Sequence, residues 1–227
     1  MNVLALDGAL GSFSAAVARD GRIAASTQEV GNVALERGLV ALQSVLDEAG
    51  LRSESIDRLA VGVGPGGFTG LRIAVTYAKS LAVAWERPLV ALSSFDLLEF
   101  GRSFERVLTV VVGRPGVISA RYRQGKRTLR ASGRTAEVLG ELAAAFESGA
   151  RGGVRPWDDV RLAVVGAPKD VLDALAERAI LVQPFDPAVT PAAAAAALAA
   201  GSRAPSTSVH AVRADYGELP AARPPHR

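Results

Sequence analysis

The residues most suited to chemistry form one run, Val61-Gly62-Val63-Gly64-Pro65-Gly66-Gly67-Phe68-Thr69-Gly70-Leu71-Arg72. It follows an apolar segment fit for a strand and opens a helical pattern. Glycines at 64, 66 and 67 let the backbone turn tightly and approach another group. Thr69 is of a type favoured as a helix N-cap. The N–H groups and positive dipole end of a helix N-terminus attract anions, phosphate among them. Gly64, Gly66, Gly67, Thr69 and Gly70 are therefore candidate phosphate-binding residues. The spacing matches neither a P-loop, which ends Gly-Lys-Ser/Thr, nor the dinucleotide pattern G-x-G-x-x-G. A tight strand-to-helix turn with no ligand accounts for it equally well.

A second cluster is basic. Arg114, Arg121, Arg123, Lys126, Arg127, Arg130 and Arg134 run without an acid between Glu105 and Glu137. Arg121 and Arg123 share one face of a strand beside Tyr122, so Arg121, Arg123 and Arg127 are candidate contacts to nucleic-acid phosphates. A solvated basic hairpin that blunts a sheet edge explains the same residues. The charge is uneven along the chain. Residues 1–100 hold 8 basic and 11 acidic side chains and residues 101–227 hold 18 and 12, within a net charge of +3. Other chemistries are excluded. With no cysteine there is no thiolate nucleophile, disulfide or iron–sulfur cluster. The two histidines, His210 and His226, both sit near the C-terminus, which disfavours a histidine triad or a histidine metal pair. No metal site is expected.

The elements that must position these residues come in one order, twice. Residues 2–6, 12–18 and 22–28 read as strands, the last two joined at Asp20-Gly21, a hairpin signal. A helix over 33–49 follows, with Leu35, Leu39, Leu42 and Leu46 at helical spacing and Gly50 as its stop. Then come a strand (58–63), a helix (69–85), a strand (88–92) and a short helix (94–101). Strands at 107–112, 117–123 and 127–131 restart the series. A helix at 135–148, a strand at 161–165, a helix at 169–178, a strand at 180–183 and an Ala-rich helix at 191–200 complete it. Residues 151–159 read as the least structured internal stretch, and the Pro- and Arg-rich end as a fraying tail. At 227 residues, the chain suits one large domain or two small ones. The expected division is a lobe at 1–102, a second, diverged lobe at 103–190, and a C-terminal segment, 191–227, that returns to the first. No basic leader precedes an apolar stretch, and no apolar run is long enough to span a bilayer. A cytoplasmic protein with no membrane contact is expected.

The duplicated βββαβαβα order resembles the actin-like, sugar-kinase and Hsp70 ATPase superfamily (ASKHA, an RNase H-like α/β two-lobe fold), whose members bind nucleotide between the copies. Gly64-Pro65-Gly66-Gly67-Phe68-Thr69-Gly70-Leu71-Arg72 resembles the G-P-G-S-F-T-G-L-R signature of the TsaB family. Leu4-Ala5-Leu6-Asp7, Ser12-Phe13-Ser14-Ala15-Ala16-Val17, Lys79-Ser80-Leu81-Ala82 and Ser93-Ser94-Phe95-Asp96-Leu97-Leu98 extend the likeness over about the first 100 residues. The second half fits only in element order and in a terminal Val212-Arg213. There are departures. Gly67 stands for the usual Ser, Gly8 for the usual Thr, Ala34-Leu35-Glu36 for His-Ser-Glu, and Gly113–Gly116 for a D-A-R-R-x-E region.

The resemblance implies a non-catalytic scaffold needed for threonylcarbamoyl modification (t6A) of the adenosine next to the anticodon, in tRNAs reading codons that begin with A. It would pair with its catalytic paralogue, TsaD, and be joined by a small ATPase, TsaE. It would form a homodimer when alone and meet tRNA through the complex. The sequence agrees at one point. On the helix at 69–85, Leu71, Ala74, Val75, Ala78, Ala82 and Trp85 form a core stripe, while Ile73 and Tyr77 fall on another side. A helix apolar on two sides is often packed once and docked once. The expected interface is therefore Leu35, Leu39, Ile73 and Tyr77. The alternative is an active actin-like ATPase or carbamoyl transferase holding nucleotide between its lobes, in which the resemblance implies that Asp7 and Gly8 join the loop at Gly64–Gly70 in holding phosphate and Mg²⁺, although a hard cation usually wants more than one carboxylate or hydroxyl. Against it stand the lone Asp7, a single glycine in Val165-Gly166-Ala167-Pro168, and the lack of the H-x-x-x-H pair that the catalytic relatives carry. No cofactor is expected on the chain itself; ATP and Mg²⁺ would enter only with the complex.

Overall fold

The structure is a computed structural model that describes residues 1–29, 34–147, 162–177, 182–201, 206 and 208–217. The expected loop at 151–159 and the end of the tail from 218 lie outside the described residues.

The first half builds a five-stranded sheet from β1 (Asn2–Asp7), β2 (Phe13–Arg19), β3 (Arg22–Glu29), β4 (Arg58–Gly62) and β5 (Leu89–Leu92), in the order β3-β2-β1-β4-β5. β1 pairs antiparallel with β2 and parallel with β4, so it is central, and its apolar run is buried on both faces. β3, at the edge, is mostly exposed. The β2–β3 turn has positive φ at both Asp20 (51°) and Gly21 (79°), the geometry that the Asp-Gly pair supplies. Helices α1 (Ala34–Glu48) and α2 (Phe68–Ala84) cover one face through Ala41, Leu42, Val45, Leu46, Leu71, Ala74, Val75 and Ala78. Short α3 (Ser94–Glu99) follows β5, and the Ser93 hydroxyl accepts from Phe95 N at 3.3 Å as its cap.

The second half repeats the plan with β6 (Arg106–Arg114), β7 (Val117–Gln124), β8 (Arg127–Arg134), α4 (Thr135–Glu147), β9 (Leu162–Val165), α5 (Lys169–Ala176) and β10 (Val182–Phe185). Its sheet order, β8-β7-β6-β9-β10, copies the first, antiparallel at one side and parallel at the other. Two mixed sheets of this order, each with helices packed on it, make a two-lobe actin-like α/β fold.

α6 (Pro191–Ala200) crosses back to the first sheet. Thr190 caps it and Pro191 opens it, an arrangement favoured at a helix start. It has no polar face, and Ala192–Ala196 and Ala199 are buried against Val3, Ala5, Ala16 and Ala60. Only small side chains let a helix lie this close to a sheet. Residues 208–217 continue onto the first core, where Val212 is buried. α3 links the halves, because Phe95 and Leu98 pack with Val107, Val111 and Val165 of the second sheet. No described helix is long and apolar enough to cross a membrane.

Candidate functional site

The glycine-rich run forms the β4–α2 turn, and the structure shows what its glycines approach. A Cβ at Gly66 would overlap the Ala9 carbonyl, which accepts from Gly67 N at 2.8 Å. Gly8 and Gly70 face each other, and a Cβ on either would overlap the other's carbonyl oxygen. The β1–β2 turn and the start of α2 are thus pressed backbone to backbone. On the other side, Asp215 N donates to Val63 O at 2.6 Å, and a Cβ at Gly64 would overlap the Asp215 carbonyl oxygen. The close approach expected of these glycines is to the chain itself. Gly64 also has φ +97°, a conformation that L side chains rarely adopt. Gly64→Ala is expected to lose at least about 2 kcal/mol of folding stability, from the backbone conformation together with overpacking. Thermal unfolding of the variant checks this.

Thr69 is not the N-cap. α2 begins at Phe68, its cap is Gly67 with no side-chain bond, and Thr69 is exposed within the first turn. Glycine serves as a cap where the extended φ/ψ must fit a crowded turn.

Asp7 ends β1 and is fully buried. Its Oδ1 accepts from Ala9 N at 3.1 Å and Leu10 N at 3.3 Å, which fixes the turn after β1. Its Oδ2 has no hydrogen-bond partner among the described residues and lies against Gly62, where a Cβ would overlap it. Burial pushes the carboxyl up to about 7, against the pull of the Leu10 and Ala9 N–H groups. An acid this dry, aimed at its own sheet and half protonated near neutrality, does not fit a Mg²⁺ ligand. Among the described residues, no three His, Asp or Glu side chains group as a metal site. A cleft of about 390 Å³ lies nearby, lined by Pro65, Phe95, Arg130, Ser132, Glu141 and Asp215. Asp7 takes no part in its wall.

The basic hairpin is β7–β8. Arg121 and Arg123 do share a face of β7, but that face looks inward onto α3. Arg121 is 6% exposed and donates to Asp96 Oδ1 at 2.6 Å and Glu99 Oε1 at 2.8 Å. Arg123 donates to Glu99 Oε2 at 2.8 Å. Thr109 of β6 also donates to Glu99. Burial alone would raise the Glu99 carboxyl; hydrogen bonds from Thr109, Arg121 and Arg123 outweigh it and hold the group below its ordinary range. The Arg121 and Arg130 guanidinium groups sit 5.1 and 5.4 Å from the Phe95 ring centroid. Two of the three arginines marked for nucleic-acid phosphate are therefore engaged inside the chain, and Arg121 has almost no surface to offer. Arg127 is exposed. Glu99 escaped the sequence reading. Its signal was an acid inside the apolar run Leu97-Leu98-Glu99-Phe100, one helical turn beyond Asp96.

The residues marked for docking divide. The Leu35 side chain lies outside the described residues. Leu39 is 56% exposed, and Val40 and Val83 are exposed beside it in the sequence of α1 and on α2. Ile73 and Tyr77 are half-buried against the first core. Tyr77 meets Phe13 edge-on at 6.3 Å between centroids and fills the space above Gly38 of α1. These two side chains therefore pack α2 on its own lobe as well as reaching its surface. Tyr77→Arg would disturb the core before it could report on a partner.

The comparisons agree with this architecture. A family model described as TsaD, tRNA N6-adenosine threonylcarbamoyltransferase, matches residues 34–156. The tRNA threonylcarbamoyladenosine biosynthesis protein TsaB of Escherichia coli (strain K12) is 31% identical over 144 residues, covering 61% of this chain and 62% of that protein. The TsaB protein of Bacillus subtilis (strain 168) is 34% identical over 76 residues, 33% of each chain. The matched segments thus span less than two thirds of these relatives' own length. The solved structure of YeaZ from Pseudomonas aeruginosa superposes with a TM-score of 0.69 at 25% identity, covering 95% of this chain and 99% of that one. A duplicated sheet order, a glycine turn of the Gly-Pro-Gly-x-Phe-Thr-Gly-Leu-Arg type and these relatives together show that the chain belongs to the TsaB family.

Proposed function

We propose that the chain is a non-catalytic partner in threonylcarbamoyl modification of the adenosine next to the anticodon, in tRNAs reading codons that begin with A. It works with a TsaD-type catalytic paralogue and a TsaE-type ATPase in the cytoplasm and forms a homodimer when alone. The observation that carries the silent role is the closed glycine turn. The backbone at Gly8, Gly66 and Gly70 leaves no room between the two turns for a phosphate, and Asp7 faces its own sheet. ATP and Mg²⁺ then enter at the level of the complex. Support for the pathway comes from the relatives, which are named for threonylcarbamoyladenosine biosynthesis. The test is nucleoside analysis of tRNA from cells lacking the gene. Disappearance of threonylcarbamoyladenosine, restored by the wild-type chain and also by Asp7→Asn, supports the role. Unchanged modification sinks it.

The paralogue docks on the outer faces of α1 and α2, where Leu39, Val40 and Val83 leave apolar surface in water. Leu39→Arg should weaken the heterodimer about 100-fold, because a charge desolvated without a partner costs several kcal/mol. The fold should survive, since Leu39 touches solvent over more than half its surface. Sedimentation of the mixture reads the affinity, and circular dichroism reads the fold.

A further inference from the structure

The start of α2 carries a second exposed feature, unrelated to the packed glycine turn. Phe68 is 56% exposed and Tyr216, from the C-terminal segment, is 40% exposed. Their ring centroids lie 5.0 Å apart with the planes inclined by 35°. The Arg72 guanidinium sits 5.1 Å from the Phe68 centroid. A cation and two rings thus form a row open to water, assembled from two segments far apart in the chain.

The surroundings are cationic. α2 contains no acid, and its charged residues are Arg72 and Lys79. Lys79 Nζ donates to Val212 O at 3.2 Å, which ties the tail to the helix two turns beyond Arg72. Arg213 follows, exposed and without an ion pair among the described residues. The acid between Arg213 and Tyr216 is Asp215, whose Oδ1 already accepts from Gly217 N at 2.9 Å. Exposed rings flanked by exposed arginines match what holds single-stranded nucleic acid, where bases stack on aromatic faces and phosphates meet Lys and Arg.

We infer that Phe68, Tyr216 and Arg72 form a stacking platform for an unpaired base of RNA, with Arg213 meeting the adjoining phosphates. The choice of RNA rests on the tRNA-modification reading, and an anticodon loop supplies such bases.

The test is fluorescence anisotropy with a labelled anticodon stem–loop, using the full chain alone and with the paralogue bound. A fully paired RNA hairpin stem is the comparison. The stem–loop should bind more tightly than the paired stem. Phe68→Ala and Tyr216→Ala should each weaken it about tenfold, the loss of one stacked base. Tyr216→Phe, which keeps the ring, should bind within about twofold of wild type. Arg213→Ala should lower the slope of log affinity against log salt by about 0.7, one single-strand phosphate. Circular dichroism of each variant separates unfolding from lost contact, and two ring variants on different segments guard against one failing to fold. No stem–loop binding in either state overturns the platform, as does equal binding of the alanine variants and wild type. Alanine variants that keep RNA affinity but lose the paralogue would make the surface a protein contact and overturn it too. Nucleoside analysis of cells lacking the gene reads the modification role separately. A chain that is needed for the modified base but binds no RNA would leave that role standing and end the platform.

Discussion

Glu99→Ala is expected to cost about 3–5 kcal/mol of folding stability, read as a fall in the urea midpoint. Against a total of about 5–15 kcal/mol for an ordinary domain, that is a large share. The cause is not the lost carboxylate as such. Glu99 is 7% exposed and Arg121 6% exposed, so alanine leaves a guanidinium desolvated with only Asp96 facing it. Arg123 and the Thr109 hydroxyl lose their acceptor as well. A buried pair replaced as a whole by apolar groups is often neutral, whereas a broken one leaves an uncompensated charge. Glu99→Ala combined with Arg121→Met should therefore recover part of the loss. If Glu99→Ala alone cost less than about 1 kcal/mol, the ion pair would have the worth of an exposed one, and the clasp between α3 and the second sheet would lose its standing. The pH dependence has a definite sign. The Glu99 carboxyl is held below its ordinary value, so its contribution is present above the ordinary carboxylate range and is lost as pH falls through the folded value.

Much of this architecture could be read locally. β1 is an unbroken apolar run because it is paired on both sides, and such runs need no partner to be recognised. The Asp20-Gly21 turn shows because its two positive φ values demand those residue types. α6 shows as ten residues with a capping Thr and an opening Pro, although nothing in an alanine tract says which sheet it will cover. The site was less legible. Glycine at 64, 66 and 70 signals that something comes close, and it looks the same whether that is a phosphate or the chain's own backbone. The answer lies at Gly8, Ala9 and Asp215, which are distant in sequence. The period of two in β7 puts Arg121 and Arg123 on one face, but only the docking of α3 decides that this face is inside. Tyr77 is similar. Helical spacing sets it off the core stripe, while the neighbouring Gly38 and Phe13 draw it half into the core.

Asp7→Asn should flatten the pH dependence of stability and make the chain more stable above neutrality. The folded carboxyl titrates at about 7 against an ordinary value of 3.8, because burial disfavours its charge. The sign follows directly. Between these two values the folded state binds more protons than the unfolded one, so stability falls as pH rises across that window. Below it both states are protonated, and above it the full cost of the buried charge is present. Three units at about 1.4 kcal/mol each give a cost on the order of 4 kcal/mol. Asparagine keeps an oxygen for the Ala9 and Leu10 N–H groups but places an amide N–H₂ where Oδ2 now lies unpartnered beside Gly62. That unpaired donor returns about 1–3 kcal/mol of the gain, leaving a net stabilisation of about 1–3 kcal/mol at pH about 8. Urea unfolding of both proteins from about pH 4 to about pH 8 reads the difference, and subtracting the curves removes Glu99, whose effect has the opposite sign. Two parallel curves would mean that Asp7 is ionised at ordinary cost, with water or an ion reaching Oδ2. In that case Mg²⁺ and ATP should raise the melting temperature of the wild-type chain and not that of Asp7→Asn. With the carboxyl sealed against Gly62, they should shift neither.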